Sequence, residues 1–396
     1  MSVRGQVNDV TVREATPREA EAWDDLVARF EGRRIFHKTV WLRYVESFSG
    51  ARAVRLVFER GGEIVGCLPG FLLRKGLLLR VFASPLVGWQ TESMGPLFDA
   101  GRVSPREVCA ALVPFLKSRY GVHHVEMTGA RLDGEAMAEL GFRGRQLSTY
   151  RVPLFPGDEE RALKNVKAKT RNQLRKAIKL GLVARVETDE SFVAEFYDQT
   201  KGVFARRGKA VPFKEDRVLQ CFRHLKEAGN LLAISVGLPD GGGCIATGLF
   251  MRDGRELHLW GWAHRAEYRW HCPTELLTWT AMRHGMEAGC TTLDMAGGGD
   301  AKLKFGARAD ATMHEWMWSR YAWLARARSL AERAYRWQQS ARGRLARKRA
   351  VAEGPPANAA ARAAAHATAQ ASEHATDPFA RTTGAIYADE LTARES

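Results

Sequence analysis

Residues able to carry chemistry concentrate between positions 257 and 308. His258 and His264 are candidate general bases, because an imidazole titrates near neutral pH. Asp294 stands beside a glycine loop, where it could act as a base or orient one. Lys302 follows that loop and could hold a phosphate or stabilise a developing negative charge. These side chains suit acyl transfer by direct attack, and the chain has no G-x-S-x-G motif for a serine nucleophile.

Regular elements are predicted to position these residues. One face of the first predicted strand carries four side chains: His258, Trp260, Trp262 and His264. A polar loop over 265–271 contains Tyr268, a further candidate for proton transfer. Pro273 suits the first position of a helix. A strand over 291–295 follows that helix and leads into the glycine loop at 297–299.

An internal repeat predicts the domain organisation. Residues 289–297 repeat the pattern of residues 121–129 position by position, and both segments follow a predicted helix. A repeat of this kind indicates two copies of one structural unit. We therefore expect two α/β units (α+β in the wider sense), over residues 1–150 and 151–320.

The repeat also offers Asp294 a second role. Glu126 occupies the matching place in the first copy. An acid shared by both copies fits a structural function, such as accepting hydrogen bonds from loop N–H groups. Catalysis and loop support are therefore both open for Asp294.

A basic helix is predicted where the two halves join. Residues 164–181 contain seven basic side chains and no acidic one. At helical spacing one face is apolar and the other is a cationic ridge that includes Arg171 and Arg175. Paired arginines can clamp a phosphate, although a solvated helix face is the ordinary fate of such a charge run.

Several motifs resemble the FemAB-like acyltransferases, including the BioF2-like acetyltransferases, a branch of the GNAT-fold superfamily. The resemblance covers roughly residues 20–320. It is carried by the following segments: Phe36-His37-Lys38-Thr39 with Trp41-Leu42, Arg171-Asn172 with Arg175-Lys176, Pro273 with Leu276-Leu277, Gly289 to Asp294, and Lys302-x-x-Phe305-Gly306.

The resemblance implies a fold and an activity. The fold would be two tandem GNAT-like domains with mixed sheets flanked by helices. The activity would be transfer of an acetyl or aminoacyl group to an amine or hydroxyl of a cell-envelope precursor or polysaccharide. The expected catalytic residues are Lys302, Asp294, His258 and Tyr268. The expected substrate-binding residues are Arg171, Asn172, Arg175, Trp262, Arg265 and Arg269.

The donor is left open between acyl-CoA and aminoacyl-tRNA. CoA-binding GNAT domains hold the pyrophosphate on a glycine-rich loop at a helix N-terminus. The matching segment here, 265–274, has no glycine. Arg265 and Arg269 could supply positive charge instead. A basic surface would also suit tRNA.

Composition limits the class of protein. A net charge of +15 predicts an anionic partner. The six cysteines are scattered without a CxxC pair, which is typical of reduced thiols in a cytoplasmic protein. No metal-ligand spacing is present, so we expect no metal cofactor. The first residues contain no apolar signal segment, and no apolar run is long enough to span a bilayer.

The C-terminal part changes in character. Residues 321–349 are predicted to form a basic amphipathic helix, which could contact the inner face of the cell membrane through 323–349. Residues 350–396 are rich in alanine, proline and threonine and are predicted to be disordered.

One rival hypothesis belongs to a different class. The two GNAT-like halves could form a non-catalytic scaffold whose basic helices bind RNA or an anionic membrane. Salt-dependent RNA binding without a ligand in the cleft would favour it. The enzyme hypothesis instead predicts a site beside residues 258–275.

Overall fold

A computed structural model describes residues 9–76, 79–130, 132–297 and 299–352. It contains two β-sheets flanked by helices, which confirms the predicted mixed α/β class. Each sheet is mainly antiparallel and contains one parallel pair.

The first sheet has eight strands. Their order across the sheet is β1-β2-β3-β4-β6-β15-β7, with β5 paired to β3, and β4 and β6 are the parallel pair. The strands are β1 Thr11–Glu14, β2 Arg52–Arg60, β3 Glu63–Lys75, β4 Leu79–Ser84, β5 Leu97–Phe98, β6 His124–Gly129, β7 Arg143–Gln146 and β15 His314–Ser319.

The second sheet has seven strands. Their order is β14-β8-β13-β12-β11-β10-β9, and β12 and β13 are the parallel pair. The strands are β8 Thr149–Pro153, β9 Val183–Glu187, β10 Leu231–Gly237, β11 Cys244–Asp253, β12 Glu256–His264, β13 Thr292–Asp294 and β14 Arg308–Asp310.

The two sheets are tied by a strand that returns to the first sheet. β15 follows β14 in the chain, yet it lies between β6 and β7 of the first sheet. The first sheet is therefore completed by residues from the end of the second half. The domain boundary between residues 150 and 151 remains a prediction, because β15 follows this boundary in the chain but belongs to the first sheet.

Eleven α-helices lie in the described part of the chain. Local sequence explains several ends: Ser104 and Glu107 form a capping box before α4, and Gly121 ends that helix in the left-handed conformation. The helices are α1 Pro17–Glu21, α2 Trp23–Ala28, α3 Thr39–Ser49, α4 Pro105–Tyr120, α5 Gly134–Glu139, α6 Glu159–Asn165, α7 Ala168–Lys179, α8 Ser191–Arg206, α9 Glu215–Glu227, α10 Pro273–Glu287 and α11 Ala322–Ala352.

A hydrophobic core is shared by the two halves. Trp41 and Phe71 from the first half pack in one cluster with Phe196, Phe222 and Trp260 from the second. Each of these five side chains is at most 6% exposed. Burial of large aromatic side chains across this boundary stabilises one relative arrangement of the halves.

A β-bulge changes the predicted face of β12. Leu249 pairs with Gly261 and Phe250 pairs with Leu259, so Trp260 is an extra residue in the strand. Trp260 consequently packs in the shared core, whereas Trp262 packs against the core of the second sheet. The prediction that all four side chains share one face is therefore wrong.

Two other predictions need correction. The segment Asp300–Phe305 is a 3-10 helix and not a short strand, so Lys302 and Lys304 do not alternate across a sheet. The predicted loop at 265–271 also contains a 3-10 helix, Ala266–His271.

The C-terminal prediction is confirmed for the helix. α11 covers Ala322–Ala352, so the prediction of disorder is wrong for residues 350–352, and the rest of the predicted tail, 353–396, lies outside the described residues. Trp323 and Leu330 are exposed, but Leu324 is buried and faces inward. Among the described helices, none has both the length and the apolar character needed to cross a bilayer.

Candidate active site between the two halves

A cavity of about 590 Å³ lies between the two sheets. Glu92 and Thr128 from the first half line it together with Thr149, His258 and Gly297 from the second sheet and its loops. Sites of this kind, where two structural units meet, are common places for ligand binding.

The parallel strands of the second sheet separate at this cavity. β12 and β13 pair only from Glu256 with Thr292 to His258 with Asp294. β12 continues to His264, while the chain after Asp294 turns away into the glycine loop. The divergence leaves room for a ligand beside the end of the paired region, as expected at the carboxyl ends of parallel strands.

Arg34 is the buried cation of the site. Its Nη1 lies 2.9 Å from Asp294 Oδ2 and 3.5 Å from Glu92 Oε2, and its Nε lies 4.0 Å from Glu256 Oε2. Burial alone would lower the pKa of Arg34, but the three carboxyl groups outweigh it and raise that pKa. The guanidinium is therefore permanently charged and holds acidic groups from both halves together.

A short 3-10 helix, Ile35–His37, fixes Arg34 in place. The backbone N–H of Arg34 donates to His37 Nδ1 at 3.1 Å, and His37 Nε2 lies 3.2 Å from the Gly95 carbonyl. Burial lowers the pKa of His37 to about 4. His37 is therefore neutral at physiological pH and adds no second charge beside the guanidinium.

Asp294 is fully occupied by hydrogen-bond donors. Its Oδ2 accepts from Arg34, and its Oδ1 accepts from the Thr149 hydroxyl and, at 3.0 Å, from the backbone N–H of Ala296. Burial would raise the pKa of Asp294, but the charges of His258 and Arg34 and these hydrogen bonds lower it. This arrangement supports the loop-binding role that the repeat suggested.

His258 lines the cavity and is only 2% exposed. Its Nε2 lies 3.2 Å from Glu256 Oε2, and the Phe36 ring packs against the imidazole with centroids 5.3 Å apart. Within the described chain neither ring nitrogen has a hydrogen-bond partner of good geometry. A carboxylate beside a histidine with free hydrogen-bonding capacity is an arrangement suited to proton transfer.

Glu256 is ionised in this setting. Burial would raise its pKa, but His258, Arg34 and Arg151 outweigh burial and hold that pKa at about 2. The guanidinium of Arg151 forms an ion pair with the Glu256 carboxylate. Glu256 can therefore stabilise a positive charge on His258.

Glu92 has an increased affinity for protons. Burial and the neighbouring charge of Asp294 raise its pKa to about 8, although Arg34 opposes this change. Its Oε2 is buried and has no hydrogen-bond partner in the described part of the protein. Glu92 is therefore largely protonated at pH 7, so it can act as a proton donor.

Three groups of the site have a spacing that a metal ion could use. Ligand atoms of Glu92, His258 and Asp294 lie within 4.8 Å of one another. Arg34, however, already lies 2.9 Å and 3.5 Å from the two carboxyl groups and would repel a second cation. The predicted absence of a metal stays a prediction.

Lys302 is buried against the glycine loop. Its Nζ donates to the carbonyl oxygens of Met295, Ala296 and Gly297, the last two at 2.9 Å and 2.7 Å. Burial lowers the pKa of Lys302. An ammonium group has three donors, so a substrate would have to displace one of these carbonyls to bind it.

A second group of predicted residues lies around the start of α10. Arg265 forms ion pairs with Glu195 at 2.7 Å and Asp198 at 3.2 Å. Arg269 is exposed. Tyr268 packs against His271 with ring centroids 5.5 Å apart. Trp262 packs against Phe305 at 5.9 Å.

The basic ridge is on α7, which packs against α10. Arg171 Nη1 donates to the Val166 carbonyl at 2.7 Å, and Arg175 Nη1 donates to Asn172 Oδ1 at 2.9 Å. The predicted site residues thus form two groups. His258 lines the cavity, and Asp294 and Lys302 bind residues of its wall. The remaining seven lie around α7 and the start of α10.

Sequence analysis missed half of the buried cluster. Arg34, Glu92, Thr149 and Glu256 come from separate parts of the chain, and Arg34 is 260 positions from Asp294. The sequence signal for this cluster was the position of Arg34, two residues before Phe36, the first residue of the motifs that carry the family resemblance.

Two mixed sheets whose parallel strands diverge at a cavity agree with the GNAT fold. Residues 164–305 match the family model described as an acetyltransferase (GNAT) domain. The predicted class, an acyltransferase of the GNAT type, is confirmed, and the predicted resemblance to the FemAB-like proteins is confirmed for the fold.

Solved structures agree with this fold. FemX superposes with a TM-score of 0.63 at 15% identity, covering 78% of this chain and 97% of that chain. A conserved protein of unknown function from Bacteroides thetaiotaomicron superposes with a TM-score of 0.51 at 11% identity, covering 78% of this chain and 98% of that one. A search of curated protein sequences gives no match.

Proposed function

We propose that the protein transfers an acyl group to an amine or hydroxyl of a cell-envelope precursor or polysaccharide. The reaction takes place in the cavity between the two halves. The observation that carries this proposal is His258, which lines the cavity and whose Nε2 lies 3.2 Å from the Glu256 carboxylate. The acceptor class rests on the resemblance to the FemAB-like proteins.

In the proposed mechanism two groups move protons. His258 takes the proton of the acceptor N–H or O–H as that nitrogen or oxygen bonds to the acyl carbon, and Glu256 stabilises the imidazolium. The bond from the acyl carbon to the donor then breaks. Protonated Glu92 supplies a proton to the departing group. Separate acidic and basic groups with different environments are a recurrent solution for this chemistry.

Arg34, Asp294 and Lys302 act as positioning residues in this scheme. Arg34 and Asp294 hold Glu92, Glu256 and the strand ends in one arrangement. Lys302 binds the carbonyls of the loop that forms one wall of the cavity. Preorganised geometry of this kind lowers the barrier, because fewer groups have to be reoriented during the reaction.

The donor is assigned to acyl-CoA or aminoacyl-tRNA, with phosphates bound by basic residues around α7 and the start of α10. Arg269 is exposed there, whereas Arg265 is already paired with Glu195 and Asp198. Arg171 and Arg175 complete the basic surface. Contact of α11 with the membrane, through exposed Trp323 and its arginines, would bring the protein to lipid-linked acceptors.

Donor assignment can be tested by binding. A donor at one hundred times its Kd should stabilise the native protein by about 2.7 kcal/mol, which a thermal melt detects. We expect Arg269→Ala to lose the shift given by an acyl-CoA and Arg265→Ala to keep most of it. No shift with any acyl-CoA, together with a shift given by aminoacyl-tRNA, would move the assignment to the second donor. No shift with either donor would contradict the proposal.

A further inference from the structure

A second and larger cavity lies under α11. Its volume is about 1320 Å³, above the range of about 300–1,000 Å³ that holds most small-molecule ligands. It extends between the first sheet and the inner face of the helix. Most of its wall is apolar, and its lining includes Phe48, Leu79, Val81, Leu86, Trp89 and Leu324.

The ionic groups around this cavity already neutralise one another. Glu126 accepts from His124 at 3.1 Å and from Arg328 at 2.6 Å. Arg145 forms an ion pair with Glu315 at 2.5 Å and lies 3.8 Å from Glu332. Lys75 also lines the cavity but is exposed to solvent, so the buried part of the wall has little unbalanced charge and suits a hydrocarbon better than a polyanion.

Arg217 is the exception. It lines the cavity, is 9% exposed, and stacks on the Phe48 ring at 4.2 Å. Its Nε and Nη1 donate to the Tyr44 hydroxyl and the Gly88 carbonyl, both at 3.3 Å. Its Nη2 is buried and has no partner among the described residues. A buried guanidinium N–H without an acceptor is costly, so a ligand oxygen would stabilise it.

The two cavities adjoin each other. Leu86, Val87, Gly88 and Arg145 line both of them. Arg217 donates to the carbonyl of Gly88, which places the unpaired donor near this junction. An elongated molecule could thus lie with its apolar part under α11 and its polar end beside the candidate active site.

We propose that the large cavity binds one long hydrocarbon chain of an acyl lipid, with an oxygen at its polar end accepting from Arg217 Nη2. The chain belongs either to the acyl group of the donor or to a lipid acceptor. Only this last assignment rests on the proposed function. The binding itself depends on the cavity alone.

The experiment measures binding of the fluorescent fatty acid cis-parinaric acid to the full-length protein. Ala327 and Ala334 are both exposed residues of α11, but only Ala327 lines the cavity. We expect saturable binding that Ala327→Trp weakens by at least about tenfold and Ala334→Trp leaves unchanged, since only the first ring would fill the cavity.

A third variant tests the polar end. Arg217→Met should weaken binding of the fatty acid but not of a hydrocarbon probe without oxygen, with circular dichroism confirming the fold of each variant. Competition by palmitoyl-CoA, but not by butyryl-CoA, would support a donor chain. Competition by vesicles of anionic phospholipid alone would support a lipid acceptor.

Two results would overturn the proposal: no saturable binding, or equal binding by the Ala327→Trp and Ala334→Trp proteins. These results are independent of the reaction. His258→Gln should keep full binding of the fatty acid. Protein that binds the fatty acid but transfers no acyl group would count only against the proposed function, and active protein without binding would count only against the cavity proposal.

Discussion

At the scale of residues, the site depends on one arginine that three carboxyl groups share. Arg34 is 9% exposed and contacts Asp294, Glu92 and Glu256. Removing one partner of a buried ion pair is costlier than removing both, because the remaining charge is left without compensation. Substitutions within this cluster therefore affect stability as well as catalysis.

Asp294→Asn tests this dependence. The change removes the charge closest to Arg34, so we expect the free energy of unfolding to fall by roughly 3–5 kcal/mol. Urea denaturation gives the value. Glu190→Gln is the control, since its ion pair with Arg223 lies on the surface and should matter little. Equal effects of the two changes would show that the buried cluster does not hold the halves together.

The raised pKa of Glu92 leads us to expect that the stability of the protein falls with rising pH. Its pKa is raised from an ordinary value of 4.5 to about 8, so the native state binds this proton more tightly than the unfolded chain does. The contribution of Glu92 to stability is fully present below pH 4.5 and is lost as pH rises through about 8.

Glu92→Gln should remove the part of the loss of stability at rising pH that is due to Glu92. We expect melting temperatures of the wild type and the variant to diverge between pH 5 and pH 8, with the variant relatively more stable at the alkaline end. Thermal melts at several pH values measure this difference. Parallel curves for the two proteins would mean that Glu92 titrates normally.

At the scale of elements, the candidate active site is formed where β12 and β13 diverge and by the loop that follows β13. The loop is held by Lys302, whose Nζ donates to three consecutive carbonyls. The bulge at Trp260 sends neighbouring tryptophans into different cores. The loop contacts and the bulge together fix the geometry of β12 and of the loop after β13 beside the cavity.

Lys302→Met should release this loop. Leaving buried carbonyls without donors costs roughly 1–3 kcal/mol, so we expect a lower melting temperature and faster amide exchange at Ala296 and Gly297. Lys179→Met, on the exposed end of α7, is the matched control. Unchanged exchange in the loop would contradict the assigned role and favour a direct contact of Lys302 with substrate.

Local signals in the sequence predicted these elements well, but not their contacts. Pro273 and Gly289 bracket α10 as expected, because capping chemistry acts over a few residues. The bulge at Trp260 was missed, because alternation along a strand carries no sign of an inserted residue. Arg34 and Glu92 were missed as site residues, because only the tertiary fold brings them to Asp294.

At the scale of the whole molecule, the return of β15 to the first sheet joins the two halves. β15 pairs with both β6 and β7, and the shared core contains aromatic side chains from both halves. The first half lacks β15 when it is separated from the second, and each half then loses part of the shared core. The repeat in the sequence predicts two units, but it does not indicate this exchange.

We therefore expect a single cooperative unfolding transition. Calorimetry of the full chain should give one peak whose calorimetric and van't Hoff enthalpies agree. The fragment 1–150 should fail to fold, since it lacks the strand between β6 and β7. A folded fragment, or two separate transitions, would show that the halves are independent domains.

The most direct test of the central claim compares two histidines of one strand. His258 and His264 both lie on β12, but only His258 lines the cavity between the halves. We predict that His258→Gln lowers kcat for acyl transfer by about 10²–10⁴-fold, the usual contribution of a general base, and that His264→Gln leaves it nearly unchanged. Full activity of the folded His258→Gln protein would contradict the assignment of the active site.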